Sequence, residues 1–216
     1  MNQIYQEDCL VTLNNPNITY DYVFCSPPDI SELNYKSTEV ERYTKFLSDR
    51  ITLFNPRLNL VTFSLTDRKA DSKIISKSFI LKTIMFNLGY DLVSHKIWVK
   101  SLKEDMFRLT YSNVLTFGKG KIKNHKCKLF APDVWEIKHK KYKNYSFGMP
   151  TEIPYRCISQ YTSENDIVYD PFIGSGTTAC ASVKLNRNWI GTEIDKETTE
   201  LAEIRINNTS FFFGND

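Results

Sequence analysis

The stretch Asp170-Pro171-Phe172-Ile173-Gly174-Ser175-Gly176-Thr177-Thr178 decides how the rest of the chain is read. Before it, Asp166 to Asp170 (Asp-Ile-Val-Tyr-Asp) reads as a short buried strand; after it, Ala179 to Leu185 reads as a helix. The glycines therefore fall on a strand-to-helix turn, where a nucleotide belongs. Gly174 and Gly176 let backbone approach a ligand and adopt positive φ, and the following helix points its free N–H groups at the turn. A second strand, Asn188 to Glu193, ends in an acid about twenty residues further on, the spacing at which a carboxylate meets ribose hydroxyls. Without a ligand the same string is a tight turn, and Glu193 a solvated strand end.

The full string resembles the S-adenosylmethionine motif of DNA amino-methyltransferases, and Trp189-Ile-Gly-Thr-Glu-Ile194 resembles the ribose-binding strand that follows it in that family. The resemblance implies S-adenosyl-L-methionine as cofactor, held by Asp170, Phe172, Gly174, Ser175, Gly176, Thr177, Glu193 and Ile194. The three-glycine dinucleotide pattern is absent, so no pyrophosphate has to be cradled. Too little chain follows Thr178 to complete a sheet whose crossovers need about a dozen residues each. The rest of the sheet must come from upstream.

A chain of 216 residues fits one domain with a small insertion, and 41% hydrophobic residues supply a core. The net charge of +3 does not by itself imply a polyanionic partner. Cys9, Cys25, Cys127, Cys157 and Cys180 are scattered without a Cys-x-x-Cys pair, and His95, His125 and His139 lack ligand spacing. This argues for a reducing compartment and no metal. The N-terminus lacks a basic and then apolar signal, and no apolar run approaches a membrane span, so the expectation is a soluble cytoplasmic protein with no membrane partner.

Upstream, Tyr20 to Cys25 is a buried strand running directly into Ser26-Pro27-Pro28-Asp29. Two successive prolines remove two N–H donors and fix φ, leaving neighbouring carbonyls free to accept. An isolated Ser-Pro-Pro is a strand terminator; at the end of a buried strand of an open α/β sheet it lies where ligands bind. The tetrapeptide resembles the family's catalytic motif of Asp, Asn or Ser, two prolines and an aromatic. With the catalytic motif first and the cofactor motif last, the chain resembles the circularly permuted β class. That resemblance implies one complete domain over residues 1–216, a doubly wound Rossmann-like α/β methyltransferase sheet. In that class an acidic residue near the start contacts the cofactor's adenine, which matches Asp8-Cys9.

Ile4 to Asp8 and Leu58 to Ser64 read as strands, Glu39 to Leu53 and Ser72 to Leu88 as helices, the latter closed by Gly89. Asp91 to Lys100 and Ser112 to Phe117 read as paired final strands, with Trp98 in the core. From Gly118 to Ser146 nine lysines stand against Asp133 and Glu136, with Trp135, Tyr142 and Tyr145 interleaved. This is either a solvated loop or a phosphate-contacting surface, with Lys138, Lys140, Lys141 and Lys143 as contacts. Residues 100–146 are the expected short target-recognition insertion. Tyr145-Ser-Phe-Gly-Met-Pro150 resembles, more loosely, the family segment lining the methionine end of the cofactor, which implies roles for Phe147 and Met149.

The resemblance implies methyl transfer to the exocyclic amine of a flipped DNA base, in restriction–modification or a related setting. Such an amine is a poor nucleophile, because its lone pair is delocalised into the ring; acceptors at Ser26 Oγ and the Pro27 carbonyl would aim that lone pair. Serine at the first position favours cytosine N4, with adenine N6 the alternative. Asp29 replaces the aromatic on which the base stacks, leaving Tyr35 to supply a ring or Asp29 to hydrogen-bond the base. A catalytically silent module binding cofactor and nucleic acid is the reading from another class. A homodimer is left open.

Overall fold

The computed structural model describes residues 2–100, 109–122, 132–138 and 149–213. In chain order these form β1 (Gln3–Gln6), α1 (Cys9–Leu13), β2 (Tyr22–Cys25), α2 (Val40–Ile51), β3 (Leu60–Leu65), β4 (Arg68–Ala70), β5 (Lys73–Ile75) and α3 (Lys77–Asn87). There follow β6 (Asp91–Val99), β7 (Tyr111–Gly118), β8 (Val134–Glu136), α4 (Glu152–Tyr161), β9 (Ile167–Asp170), α5 (Thr177–Lys184), β10 (Asn188–Glu193) and α6 (Lys196–Phe213).

The main sheet runs β1-β10-β9-β2-β3-β7-β6-β8. From β1 to β3 every pairing is parallel; β7 is antiparallel to both neighbours, and β8 runs parallel to β6. The central strands are buried along their whole length, which is why they read as continuous apolar runs rather than alternating ones. Their side chains divide by parity. Val23 and Cys25 pack with Tyr43, Leu47 and Ile51 of α2 and with Leu81, Ile84 and Met85 of α3. Tyr22 and Phe24 pack on the other face with Ile153, Cys157, Ile158 and Tyr161 of α4. A third cluster joins Ala179 and Cys180 of α5, Ala202 and Ile206 of α6 and Trp189 of β10. Helices thus cover both faces, and the expected doubly wound α/β sheet is what the chain forms. Trp98 is buried, donating from Nε1 to the Ile137 carbonyl at 2.9 Å.

Two elements differ from the reading of the sequence. The stretch expected to open a helix at Ser72 instead returns as the hairpin β4–β5, turning at Asp71 and Ser72 with φ of 49° and 58°. Helix α3 starts only at Lys77, where the Asp67 carboxylate accepts from Ser78 N at 2.7 Å and Ser78 Oγ at 2.8 Å, supplying a partner for a helix-start N–H from another segment. The other is β8, a strand inside the lysine-rich stretch.

The chain leaves β9 through α5 towards β10, but leaves β2 through α2 towards β3 on the opposite side. Because β9 and β2 are neighbours, a crevice opens between their carboxyl ends, where open α/β sheets bind ligands.

Candidate active site

A cleft of about 1,280 Å³ lies at the carboxyl ends of these strands, and it is lined by both motifs: Ser26 to Asp29 after β2 and Asp170 to Ser175 after β9. The two glycines of the turn do different jobs. Gly174 has φ +49°, and a Cβ there would meet nothing nearer than the Phe172 carbonyl oxygen at 3.8 Å, so its open face is available to a ligand. Gly176 has φ +76°, and a Cβ would come within 3.0 Å of Ile206 Cδ1 and 3.3 Å of Ala202 Cβ; it lets α6 close against the turn. Arg205 of α6 braces the same turn, donating from Nη1 to the Ser175 carbonyl at 2.9 Å and to the Ser175 and Thr177 hydroxyls at 3.0 Å each.

Glu193, the last residue of β10, accepts from Gly174 N at 3.1 Å and from Asp195 N at 3.0 Å, which ties the acid to the glycine turn. Beside it Ile194 is 70% exposed, an apolar side chain presented to the cleft. Asp170 is buried; it accepts from Thr178 Oγ1 at 2.5 Å and Phe172 N at 3.0 Å. Burial outweighs these bonds and, with Glu193 nearby, pushes its carboxyl up to about 7.

Opposite this turn, Asp8 caps α1 through Leu10 N at 2.9 Å and pairs with Arg50 of α2 at 2.8 Å. The Arg50 guanidinium lies 3.8 Å over the Phe46 ring, whose centroid stands 6.0 Å from that of Phe172. Cys9 is buried, and burial pushes its thiol up to about 12, so it is an unreactive wall. Met149 lines the cleft as well.

In the Ser-Pro-Pro-Asp loop, the Tyr43 hydroxyl donates to the Pro28 carbonyl at 3.0 Å from a fully buried ring, fixing the loop from below. Among the described residues neither Ser26 Oγ nor the Pro27 carbonyl has a hydrogen-bond partner, and Ser26 is exposed in the cleft. Asp29 is fully engaged. It accepts from Lys77 Nζ and Arg68 Nη1, each at 2.6 Å, and from Ser31 N and Oγ at 3.1 and 2.9 Å. Burial pushes its carboxyl up, but the Lys77 ammonium and the Ser31 bonds more than offset this and hold it at about 2.

Not every expected residue joins this site. Tyr35 is not among the residues lining the cleft; its ring packs against the core beneath the Arg42 guanidinium, 4.1 Å from the centroid. Lys138 is exposed just beyond β8 and does not line the cleft. Phe147, Lys140, Lys141 and Lys143 lie outside the described residues. Reading the sequence missed Arg50, Arg68, Lys77 and Arg205; of these only Arg50 carried a local signal, standing one turn after Phe46 on a helix already assigned. No cluster of side chains that could hold a metal ion occurs among the described residues, and no helix there is long and apolar enough to cross a membrane.

Residues 20–204 match the profile of the DNA methylase family that comprises N6 and N4 methyltransferases. The type II methyltransferase M.BamHI of Bacillus amyloliquefaciens is 25% identical over 248 aligned positions, covering 96% of this chain and 57% of its own length. Shorter matches at about 40% identity span 26% and 24% of other type II methyltransferases, so the chain covers well under two thirds of these relatives. Among solved structures, the PvuII DNA methyltransferase (cytosine-N4-specific) superposes with a TM-score of 0.81 at 18% identity, covering 100% of this chain and 93% of that one. The M1.HpyAVI–SAM complex superposes at 0.69 with 25% identity, covering 96% and 100%. With most of its length matched by the family profile, this chain belongs to the N6/N4 DNA methylase family.

Proposed function

We propose that the chain is an S-adenosylmethionine-dependent DNA methyltransferase acting on the exocyclic amine of a flipped base, cytosine N4 by preference and adenine N6 as the alternative. One observation carries the proposal: two neighbouring strands of a methylase fold deliver the glycine turn and the Ser-Pro-Pro loop into one cleft, and the two acceptors of that loop are left without protein partners among the described residues.

The donor set suits the cofactor. Glu7, Asp8, Asp170 and Glu193 line the β1, β9 and β10 side of the cleft, as suits a ligand with a cationic sulfonium and ammonium group. Gly174 leaves space for close approach, and Glu193 and exposed Ile194, which both line the cleft, would hold the ribose hydroxyls and the adenine. The cofactor resolved in the M1.HpyAVI complex fits the same reading. It supplies a methyl group on a sulfonium whose sulfur keeps the bonding electron pair when the methyl departs.

The chain's own residues prepare the nucleophile. Ser26 Oγ and the Pro27 carbonyl each accept one amino hydrogen, which turns the nitrogen lone pair out of conjugation and towards the methyl group. Tyr43 holds the loop through Pro28, so these acceptors are ordered before substrate arrives. Once the new N–C bond has formed, the nitrogen sheds one hydrogen as a proton to water, which reaches the cleft beside exposed Ser26. Asp29 is a poor acceptor for that proton, since the Lys77 ammonium and the Ser31 bonds hold its carboxyl at about 2 against the effect of burial. We therefore assign Asp29 to holding the loop rather than to contacting the base, and the Ser26 and Pro27 oxygens to the amine. Serine at the first position favours cytosine. Incubating purified protein with cofactor and mixed-sequence DNA, then analysing the nucleosides by mass spectrometry, tests this: N4-methylcytosine supports the preferred reading, N6-methyladenine the alternative, and neither overturns both.

A further inference from the structure

The sheet fixes the order in which acceptor side chains meet the cleft. Strands β1, β10, β9 and β2 lie side by side and parallel, with Gln6 in register with Glu193 and Gly191 with Asp170. Asp8 after β1, Glu193 ending β10, Asp170 ending β9 and Ser26 after β2 therefore follow one another along the cleft they all line. Neighbouring strands stand about 4.8 Å apart, so the row spans about 14 Å. In S-adenosylmethionine the ribose stands between the adenine and the sulfonium. A ribose at Glu193 with the methyl group aimed at Ser26 puts the adenine on the far side, at Asp8.

Asp8 has room for one more donor. Its Oδ1 accepts from Leu10 N at 2.9 Å and from Arg50 Nη2 at 3.1 Å, whereas Oδ2 accepts only from Arg50 Nη2, at 2.8 Å, among the described residues. A carboxylate oxygen has two lone pairs, and the Asp8 side chain is 38% exposed at the cleft. Neighbouring Glu7 is engaged elsewhere, accepting from Thr12 Oγ1 at 2.5 Å. The orientation of Asp8 is set by Arg50, which is 10% exposed and reaches it from α2. Arg50 Nη1 also donates to the Phe46 carbonyl at 3.2 Å, and the guanidinium covers the Phe46 ring. One side chain thus fixes both an acceptor and a ring that line the cleft. Its Nε is buried without a partner among the described residues, so the guanidinium is held in this place at a cost in hydrogen bonding.

Resting on the proposed function, we propose that Arg50 is a positioning residue for the cofactor: it fixes the Asp8 carboxylate so that Oδ2 accepts from the adenine amino group, and so makes the site select adenine over hypoxanthine. Hypoxanthine carries a carbonyl at that position and has no hydrogen to give there. Calorimetric titration with S-adenosylhomocysteine, the product of methyl transfer, and with S-inosylhomocysteine, its hypoxanthine counterpart, tests this. Wild type should prefer the adenine compound by about 10–100-fold, the worth of a hydrogen bond to a charged acceptor. In Arg50→Gln the carboxylate must be ordered when adenine binds, a cost that hypoxanthine does not incur, so the preference should fall by about 2–10-fold. A merely structural role for Arg50 would weaken both ligands alike and leave their ratio unchanged. Arg50→Lys keeps a cation opposite Asp8 but cannot also hold the Phe46 carbonyl and ring, so its preference should lie between the two; should Arg50→Gln fail to fold by circular dichroism, Arg50→Lys decides by the same ratio. A wild type that binds both compounds equally, or a deciding variant that keeps the full preference, overturns the inference and leaves the proposed function standing. A wild type that binds neither compound refutes the proposed function, and this inference with it.

Discussion

Replacing Asp29 with Asn keeps its shape and removes its charge, which isolates the ion pairs that hold the Ser26 to Asp29 loop. In the wild type the carboxylate lies 2.6 Å from both Lys77 Nζ and Arg68 Nη1, and the Lys77 side chain is only 4% exposed. A carboxyl held at about 2 rather than 3.8 corresponds to about 2 kcal/mol of stability at neutral pH, at about 1.4 kcal/mol per pH unit. The Asp29 side chain is 23% exposed, so solvent screening lowers this to about 1–2 kcal/mol. Stranding the buried Lys77 ammonium adds a penalty, and together about 2–3 kcal/mol is expected at pH 7. Because the folded carboxyl is depressed, its contribution is present above about pH 4 and disappears as pH falls towards 2. The charge-dependent part should be roughly halved at pH 3. Urea unfolding of both proteins at pH 7 and pH 3 measures each quantity. Equal stability at pH 7 would refute the claim that these ion pairs hold the loop, and a gap that does not shrink at pH 3 would refute its electrostatic origin.

Glu193→Ala should weaken S-adenosylmethionine binding by about 1–3 kcal/mol in calorimetric titration, the cost of losing hydrogen bonds to a charged group; unchanged affinity in a folded variant removes Glu193 from the site. Gly176→Ala places a Cβ at positive φ and 3.0 Å from Ile206, so thermal unfolding should show a loss of about 1–3 kcal/mol, whereas wild-type stability would mean that α6 yields freely. Asp170, raised to about 7 by burial, is half protonated near neutrality, and the cationic cofactor favours its ionised form. Affinity should therefore climb as pH rises through 7, with a proton released on binding; a binding heat that does not vary with the ionisation enthalpy of the buffer would contradict this.

The parts of the fold set by short-range pattern were legible. The strand β10 has the bounds its apolar run and flanking turn residues indicated, Asn188–Glu193, and Gly89 follows α3 with φ +77° as a helix-closing glycine should. Both loops of the cleft were found because each motif sits directly after a fully buried strand. The hairpin β4–β5 was not legible: it turns on Asp71 and Ser72 rather than on an Asn-Gly pair, and its strands are only three residues long each. Missing it displaced the start of α3, whose Ser78 N–H is satisfied by Asp67 from outside the helix. The chemistry of Asp29 was hidden for a similar reason. Its two cationic partners lie 39 and 48 residues away in sequence, so local pattern shows only a departure from the family's aromatic. Arg205 reaches the glycine turn from a helix that packs closely over Gly176.

The most direct test of the central claim is single-turnover transfer of a labelled methyl group from preloaded cofactor to DNA, comparing wild type with Ser26→Ala. Wild type should label the DNA. Ser26→Ala should do so about 10–10³-fold more slowly while binding cofactor and DNA as before, because the missing acceptor acts mainly in the transition state. A wild-type protein that leaves the DNA unlabelled, or a Ser26→Ala variant that transfers at the wild-type rate, would contradict the assignment of this cleft.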